Sequence, residues 1–276
     1  MPPAPRLPHA GGSVSAAAGV VSAKVLAIAN QKGGVGKTTT ALSLGAALVR
    51  NGKRVLLMDL DPHGCASVHL GLFPEAVGLS VYDLLLSGEF DQALWDKTVV
   101  RTAYGGMSVA PSHIRLTELD IELRERENKG LILRNVLAQG ATGFDYVILD
   151  CPPHMGVLLV NALVASDLLI IPIQTDFLAL HGLRLIFDTI RLLNRVLPKP
   201  VPWKALATMF DRRAGACRRV LGLLRKKLDA KMFETVIGLD TQFREASASG
   251  KVIYDVAPDS RGAREYLQLA KEILAA

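Results

Sequence analysis

Near-continuous apolar runs punctuate the chain at residues 25–30 (VLAIAN), 54–61 (RVLLMDLD), 145–150 (DYVILD) and 167–173 (DLLIIPI). A strand with one wet face alternates apolar and polar residues. Runs without that alternation belong to strands covered on both faces, the condition of a parallel sheet between two layers of helices. Residues 203–210 (WKALATMF) and 234–239 (ETVIGL) continue the series. Helical patterns fill the intervals: one helix runs from Thr38 and is closed by Gly52, and others are expected at about residues 156–165, 177–196, 214–228 and 261–274. The alternation predicts an α/β fold, a single doubly wound and mostly parallel sheet with helices on both faces, over residues 24–276. Its ligand belongs at the carboxyl ends of the strands.

Composition narrows the picture. Half of the 276 residues are apolar, too many for a disordered chain, and no uncharged apolar run approaches the roughly 18 residues of a membrane span. Residues 1–23 hold four prolines among Ala, Gly and Ser, with Arg6 as the one charge, and read as a flexible tail with no leader-like apolar core. Cys65, Cys151 and Cys217 are far apart and odd in number, which fits a reduced, cytoplasmic protein better than a disulfide or zinc framework. The net charge of +6 is uneven: residues 191–276 carry 17 Lys+Arg against 9 Asp+Glu, residues 1–190 carry 15 against 17. A surplus confined to the last third suggests a polyanionic partner.

The chemistry clusters early. Residues 31–40 (QKGGVGKTTT) stand between the first strand and the first helix. Glycines there let backbone N–H groups surround phosphate oxygens, the helix N-terminus adds positive potential, Lys37 supplies a cation and Thr38 a hydroxyl for Mg²⁺. Gln31 replaces the first glycine of the common phosphate-loop pattern, and an additional lysine, Lys32, opens the loop. Residues 58–67 (MDLDPHGCAS) put Asp59 and Asp61 at a strand end, where two acids can orient a water and hold hydrated Mg²⁺. Residues 147–153 (VILDCPP) add Asp150 at another strand end, and residues 171–176 (IPIQTD) follow.

In this order the segments resemble the ParA/MinD family of ATPases with a deviant Walker A motif, in its Soj-like ParA branch, and the resemblance extends over residues 24–274. It implies a P-loop NTPase fold of the SIMIBI type, ATP and Mg²⁺ as cofactors, and slow hydrolysis stimulated by a partner. It further implies an ATP-dependent homodimer in which Lys32 reaches the partner's phosphates. Residues assigned to ATP on this basis are Lys32, Gly33, Gly34, Val35, Gly36, Lys37, Thr38 and Thr39; Thr38, Asp61 and Asp150 are assigned to Mg²⁺, and Asp61 to the attacking water. Lys32, Lys37 and Asp61 make up the catalytic set. His63 and Cys65 stand where the family has Gln and Asn. Gly238-Leu239-Asp240 stands where it has Pro-x-Asn beside adenine; Gly238 and Asp240 are assigned to ATP at that position, through the backbone rather than through a side chain that reads the base. Cys151, next to Asp150, also raises the nitrogenase-reductase relatives with a shared iron–sulfur cluster. Such a cluster needs two converging thiolates per subunit, and Cys65 and Cys217 lie outside those motifs, so Cys151 is read as a buried apolar residue.

Arg212, Arg213, Arg218, Arg219, Arg225, Lys226 and Lys227 form a basic stripe. A spacing of seven puts Arg212, Arg219 and Lys226 near one helical face, with Arg218 and Arg225 beside it. Without an aromatic platform or base-reading helix, its contacts would be to phosphates and independent of sequence. The resemblance matches Arg213 to a DNA-binding arginine of chromosomal members, while a second such position is Gln242, with Arg244 and Lys251 nearby. The DNA-binding candidates are therefore Arg213, Arg218, Arg219, Arg225, Arg244 and Lys251. The expected activity is a dimerising ATPase switch on nucleoid DNA that works with a ParB-like or other adaptor. It would position a chromosome, a plasmid or a protein cluster such as a chemotaxis array. The alternative is a MinD-like, membrane-cycling regulator of division-site placement, which needs a basic amphipathic C-terminal anchor. The closing EYLQLAKEILAA has one lysine and two glutamates, and Leu267, Leu269, Ala270 and Leu274 read as a face docked on the sheet, with no membrane anchor.

Overall fold

Eight strands join in one sheet in a computed structural model that describes residues 23–176, 179–195, 197 and 199–276, without the side chains of 179–185. They are β1 (Lys24–Ile28), β2 (Val55–Asp59), β3 (Val100–Arg101), β4 (Met107–Ala110), β5 (Tyr146–Asp150), β6 (Leu168–Gln174), β7 (Trp203–Phe210) and β8 (Met232–Gly238), in the order β3-β4-β2-β5-β1-β6-β7-β8. All neighbours pair in parallel except β3, which lies antiparallel to β4. The helices are α1 (Lys37–Arg50), α2 (Cys65–His69), α3 (Val81–Ser87), α4 (Gln92–Thr98), α5 (Leu119–Glu122), α6 (Ile132–Gly140), α7 (Val157–Ala165), α8 (Ala179–Leu193), α9 (Gly215–Leu228), α10 (Gln242–Ala248), α11 (Ile253–Val256) and α12 (Arg261–Leu274). The tail expected at residues 1–23 falls, but for Ala23, outside the described residues.

The continuous apolar runs are explained by two cores, one on each face of the sheet. In β1, Leu26 and Ile28 join one cluster with Leu44 and Leu48 of α1 and Tyr266 and Leu269 of α12, while Val25 and Ala27 join the other with Leu159 of α7 and Val220 of α9. The same alternation divides Leu57 from Leu56 and Met58 in β2. Each fully buried Leu or Ile contributes roughly 1.5–3 kcal/mol of transfer free energy, so a polar residue in either register would be costly.

The strand order also locates the site. To one side of β1 lie β5, β2 and β4, and to the other β6, β7 and β8. Strand order reverses at β1, and the crevice beyond its carboxyl end is where an open α/β sheet binds ligands. Among the described residues no helix is long and apolar enough to cross a membrane. The apolar face of α12 is already covered, with Ala263, Tyr266, Leu269, Ala270 and Ile273 buried. Leu269 and Ala270 dock as expected, and Leu267 and Leu274 are half-buried.

Candidate active site

The loop after β1 is fixed at its base before it reaches the ligand side. The Asn30 amide donates to the Pro172 carbonyl at 2.8 Å, and its oxygen accepts from the Lys32 N–H at 3.0 Å. Gly34 and Gly36 then adopt φ of 72° and 88°, the left-handed region that favours glycine. Gly36 is the N-cap of α1 and offers no side-chain cap, which leaves the first-turn N–H groups open for an anion. Thr208 of β7 donates its hydroxyl to the Val35 carbonyl at 2.9 Å and ties the loop to the sheet. Lys37 is 8% exposed. A cleft of about 450 Å³ opens here, with the loop glycines, Lys37, Thr38 and Thr39 on its floor, Asp61, His63 and Cys65 on one wall, and Phe243 and Val252 on the other.

Three carboxylates stand beside that floor in different conditions. Asp59 is fully buried and satisfied: Oδ2 accepts from the Ser67 N–H at 2.8 Å and hydroxyl at 2.7 Å, and Oδ1 from the Asp61 N–H at 3.2 Å. It fixes the path from β2 into α2. Burial nonetheless pushes its pKa up to about 6, against the lowering effect of the Ser67 hydrogen bonds. Asp61 faces the cleft, with Oδ1 accepting from the His63 N–H at 3.0 Å and lying 2.9 Å from His63 Nδ1. Asp150 is 1% exposed, and neither of its carboxylate oxygens has a hydrogen-bond partner among the described residues. Burial raises its pKa well above the usual range, the Asp59 charge adds to this, and the Thr38 hydroxyl and Lys37 ammonium oppose it. A dry, unpartnered carboxylate between a hydroxyl and a phosphate cradle is fitted to a hard cation such as Mg²⁺.

The remaining candidates separate into groups. Lys32 Nζ donates to Asp176 Oδ2 of its own chain at 2.6 Å. Beside the cleft, a cavity of about 210 Å³ is lined by Thr39, Met209, Gly238, Asp240, Phe243 and Arg244 among others. Asp240 points its carboxylate away from ligand duty: Oδ1 accepts from the Gln242 N–H at 3.0 Å and Oδ2 from the Gly262 N–H at 2.9 Å. The Gly238 N–H donates to Glu265 at 2.7 Å. Met209, at a φ of 52°, and Phe243 line both spaces, and no sequence pattern singled them out.

The basic stripe is divided by the start of α9 at Gly215. Arg212 and Arg213 lie in the preceding turn, so the sevenfold spacing applies within the helix to Arg219 and Lys226 alone of the expected trio. Arg218 folds back and donates to the Arg212 and Arg213 carbonyls at 2.6 and 3.2 Å. Arg219, Arg225, Lys226 and Lys227 are exposed, opposite the buried Val220, Leu221 and Leu224. Arg244 and Lys251 are exposed on a second surface, around α10, where the Lys251 carbonyl lies 2.8 Å from His69 Nε2 of α2. Cys151 is buried, Cys65 exposed and Cys217 intermediate, and burial raises the Cys151 thiol far above its usual range, with the Asp150 charge adding to it.

Residues 23–201 match a family model described as an AAA domain. The sporulation initiation inhibitor protein Soj of Bacillus subtilis is 40% identical over 253 residues, which are 91% of this chain and 98% of Soj. The chromosome partitioning protein ParA of Caulobacter vibrioides is 38% identical over 256 residues, 91% of this chain and 94% of that protein. A crystal structure of cobyrinic acid a,c-diamide synthase from Mycobacterium smegmatis, with bound ATP analog and magnesium, is 35% identical with a TM-score of 0.75, over 91% of this chain and 94% of that one.

Proposed function

Because the chain belongs to the ParA family of P-loop ATPases, we propose that it is a slow ATP-driven switch whose paired state grips DNA without reading its sequence. An adaptor protein stimulates hydrolysis and releases it, and the cycle positions a cargo. The observation that carries this reading is the unpartnered Asp150 carboxylate buried beside a glycine loop whose helix N-terminus lacks a side-chain cap.

ATP and Mg²⁺ are the cofactors these groups fit. Backbone N–H groups of residues 33–38 surround the phosphates and Lys37 adds its charge. A bound Mg²⁺ supplies neutralisation of the phosphate oxygens, with Thr38 and Asp150 the residues that would hold it and Asp61 reaching it through water. Asp61, held by the His63 N–H, orients the attacking water. The base enters the cavity between Met209 and Phe243 and meets the backbone of Gly238 and Asp240, since the Asp240 carboxylate is engaged elsewhere. Lys32 leaves Asp176 for the phosphates of a second copy. Two copies double the phosphates contacted by Arg213, Arg219, Arg225, Arg244 and Lys251 and steepen the salt dependence of DNA binding.

The covered apolar face of α12 favours DNA over a lipid surface as the partner. The test is retention of duplex DNA with ATP, with ADP and without nucleotide. Lys37→Ala is expected to lose the ATP-dependent part; retention by that variant, or ATP-dependent sedimentation with liposomes in place of DNA, overturns the reading.

A further inference from the structure

The turn between β7 and α9 and the start of α12 enclose a cleft of about 220 Å³, walled by Phe210, Asp211, Arg212, Arg213, Leu239 and Arg261, none of which lines the cleft over the phosphate loop. Three guanidiniums from two distant segments meet one carboxylate there. Arg213 is engaged with Asp211, at 3.2 Å through Nε and 3.3 Å through Nη2. Arg212 is exposed, and its guanidinium has no hydrogen bond or ion pair among the described residues. Arg261 donates from Nη2 to the Leu239 carbonyl, while its Nε is buried without a hydrogen-bond partner and lies 3.6 Å from Glu265. Arg213, and more weakly Arg261, hold the Asp211 carboxyl below its usual range. Even with Asp211 set against Arg213 and Glu265 against Arg261, one positive charge is unbalanced and one buried N–H lacks an acceptor.

The sequence allows this because residue 238 is glycine. A Cβ there would stand 2.7 Å from the Arg261 guanidinium carbon, and the proline of the resembled pattern would occupy the same space. The planar fork of Arg261 therefore lies across the loop of residues 238–240. That loop also walls the base cavity on its other side and is pinned to β7 by the Leu239 N–H to Phe210 carbonyl bond at 3.2 Å.

We propose that this cleft seats one phosphate of the DNA backbone, that Arg212 and Arg261 join Arg213 in holding it, and that it matters more to DNA binding than the far end of α9. An arginine fork matches two phosphate oxygens and satisfies the buried Nε, which an exposed lysine row does not require. The proposal rests on the DNA-binding reading above and places one of its contacts beside the nucleotide base.

A short duplex of mixed sequence, titrated with ATP and Mg²⁺ at several salt concentrations, tests it. Arg212→Ala and Arg261→Lys are each expected to weaken binding about tenfold. Arg212→Ala, which removes a charge, should also reduce the salt slope by about one, whereas Arg261→Lys, which keeps the charge and loses the fork, should leave the slope unchanged. Arg225→Ala/Lys226→Ala/Lys227→Ala is expected to weaken it less than Arg212→Ala does. The Arg212 guanidinium has no partner among the described residues to lose, so the fold and ATP affinity of Arg212→Ala should be unchanged. Arg261→Lys keeps the charge but loses the fork that meets the Leu239 carbonyl, so its denaturation midpoint is read beside its affinity. Wild-type affinity in Arg212→Ala, or loss confined to the triple variant, overturns the phosphate seat alone. A wild-type protein that binds ATP but no duplex overturns the DNA reading and the seat together.

Discussion

Two buried aspartates beside the same phosphate loop have opposite jobs because of what their oxygens touch. Asp59 is spent on Ser67 and the Asp61 N–H, whereas neither Asp150 oxygen has a hydrogen-bond partner among the described residues, and only the nearby Thr38 hydroxyl and Lys37 ammonium favour its charge. An unpartnered buried carboxylate costs stability in the free protein, so Asp150→Asn should raise nucleotide-free stability by about 1–3 kcal/mol while abolishing ATP hydrolysis. Thermal denaturation and phosphate release measure the two effects; a destabilised Asn variant would mean that Asp150 has a partner in solution. Asp59 carries a pH signature. Its folded pKa, about 6, is raised above the ordinary 3.8, so the folded state holds this proton more tightly than the unfolded chain does. Stability from this group is therefore full below about pH 4 and is lost as pH rises through about 6. In Mg²⁺-free buffer the urea midpoint of wild type should fall across that window relative to Asp59→Asn. Sequence made all three acids visible. Which one was already satisfied depended on Ser67, eight residues further on, and the state of the Asp240 carboxylate was hidden for the same reason: it is taken by two backbone N–H groups, of Gln242 and Gly262, the second of which only the fold brings near.

At the scale of elements, legibility followed length and burial. β7 coincides with its apolar run, because a strand enclosed by two cores has no reason to alternate. β8 begins at Met232, two residues before the expected run, since the exposed Glu234 interrupts the pattern. The segment between Asp61 and Asp145 gave no expectation at all: β4 has four residues, β3 two, and α2 to α6 between four and nine, lengths over which periodicity is too short to register. Long-range chemistry was equally hidden. β8 ends the sheet, and an open edge invites pairing with other chains. Here α12 covers it with side chains: Glu272 accepts from the Glu234 and Thr235 N–H groups at 3.1 and 2.8 Å, and Glu265 from that of Gly238. Glu272→Ala should cost about 1–3 kcal/mol and increase aggregation, seen as a lower denaturation midpoint and a rise in light scattering on warming. Unchanged scattering with the same midpoint shift would confine Glu272 to stability.

For the whole molecule, the question is what keeps one copy from behaving as two. The sequence expectation gave Lys32 to a partner's phosphates, and the single chain holds it on Asp176 at 2.6 Å. Both side chains are about a third exposed, 27% and 34%, so solvent screens the pair and its worth is at most about 1 kcal/mol. That is enough to bias an equilibrium between copies but not to block it, which is what the proposed ATP-closed switch requires. Asp176→Asn should then favour ATP-dependent pairing by no more than about fivefold, read by sedimentation velocity at several protein concentrations. Weaker pairing in the variant would mean instead that Asp176 aims Lys32 toward the second copy. The same equilibrium sets the use of the uneven charge. One copy presents exposed basic residues of its last third around α9 and around α10. Under the proposed function pairing sets two copies of these residues against one duplex, so duplex affinity should follow the paired fraction. Asp176→Asn should therefore shift the ATP concentration needed for DNA retention in the same direction, and by the same factor, as it shifts pairing.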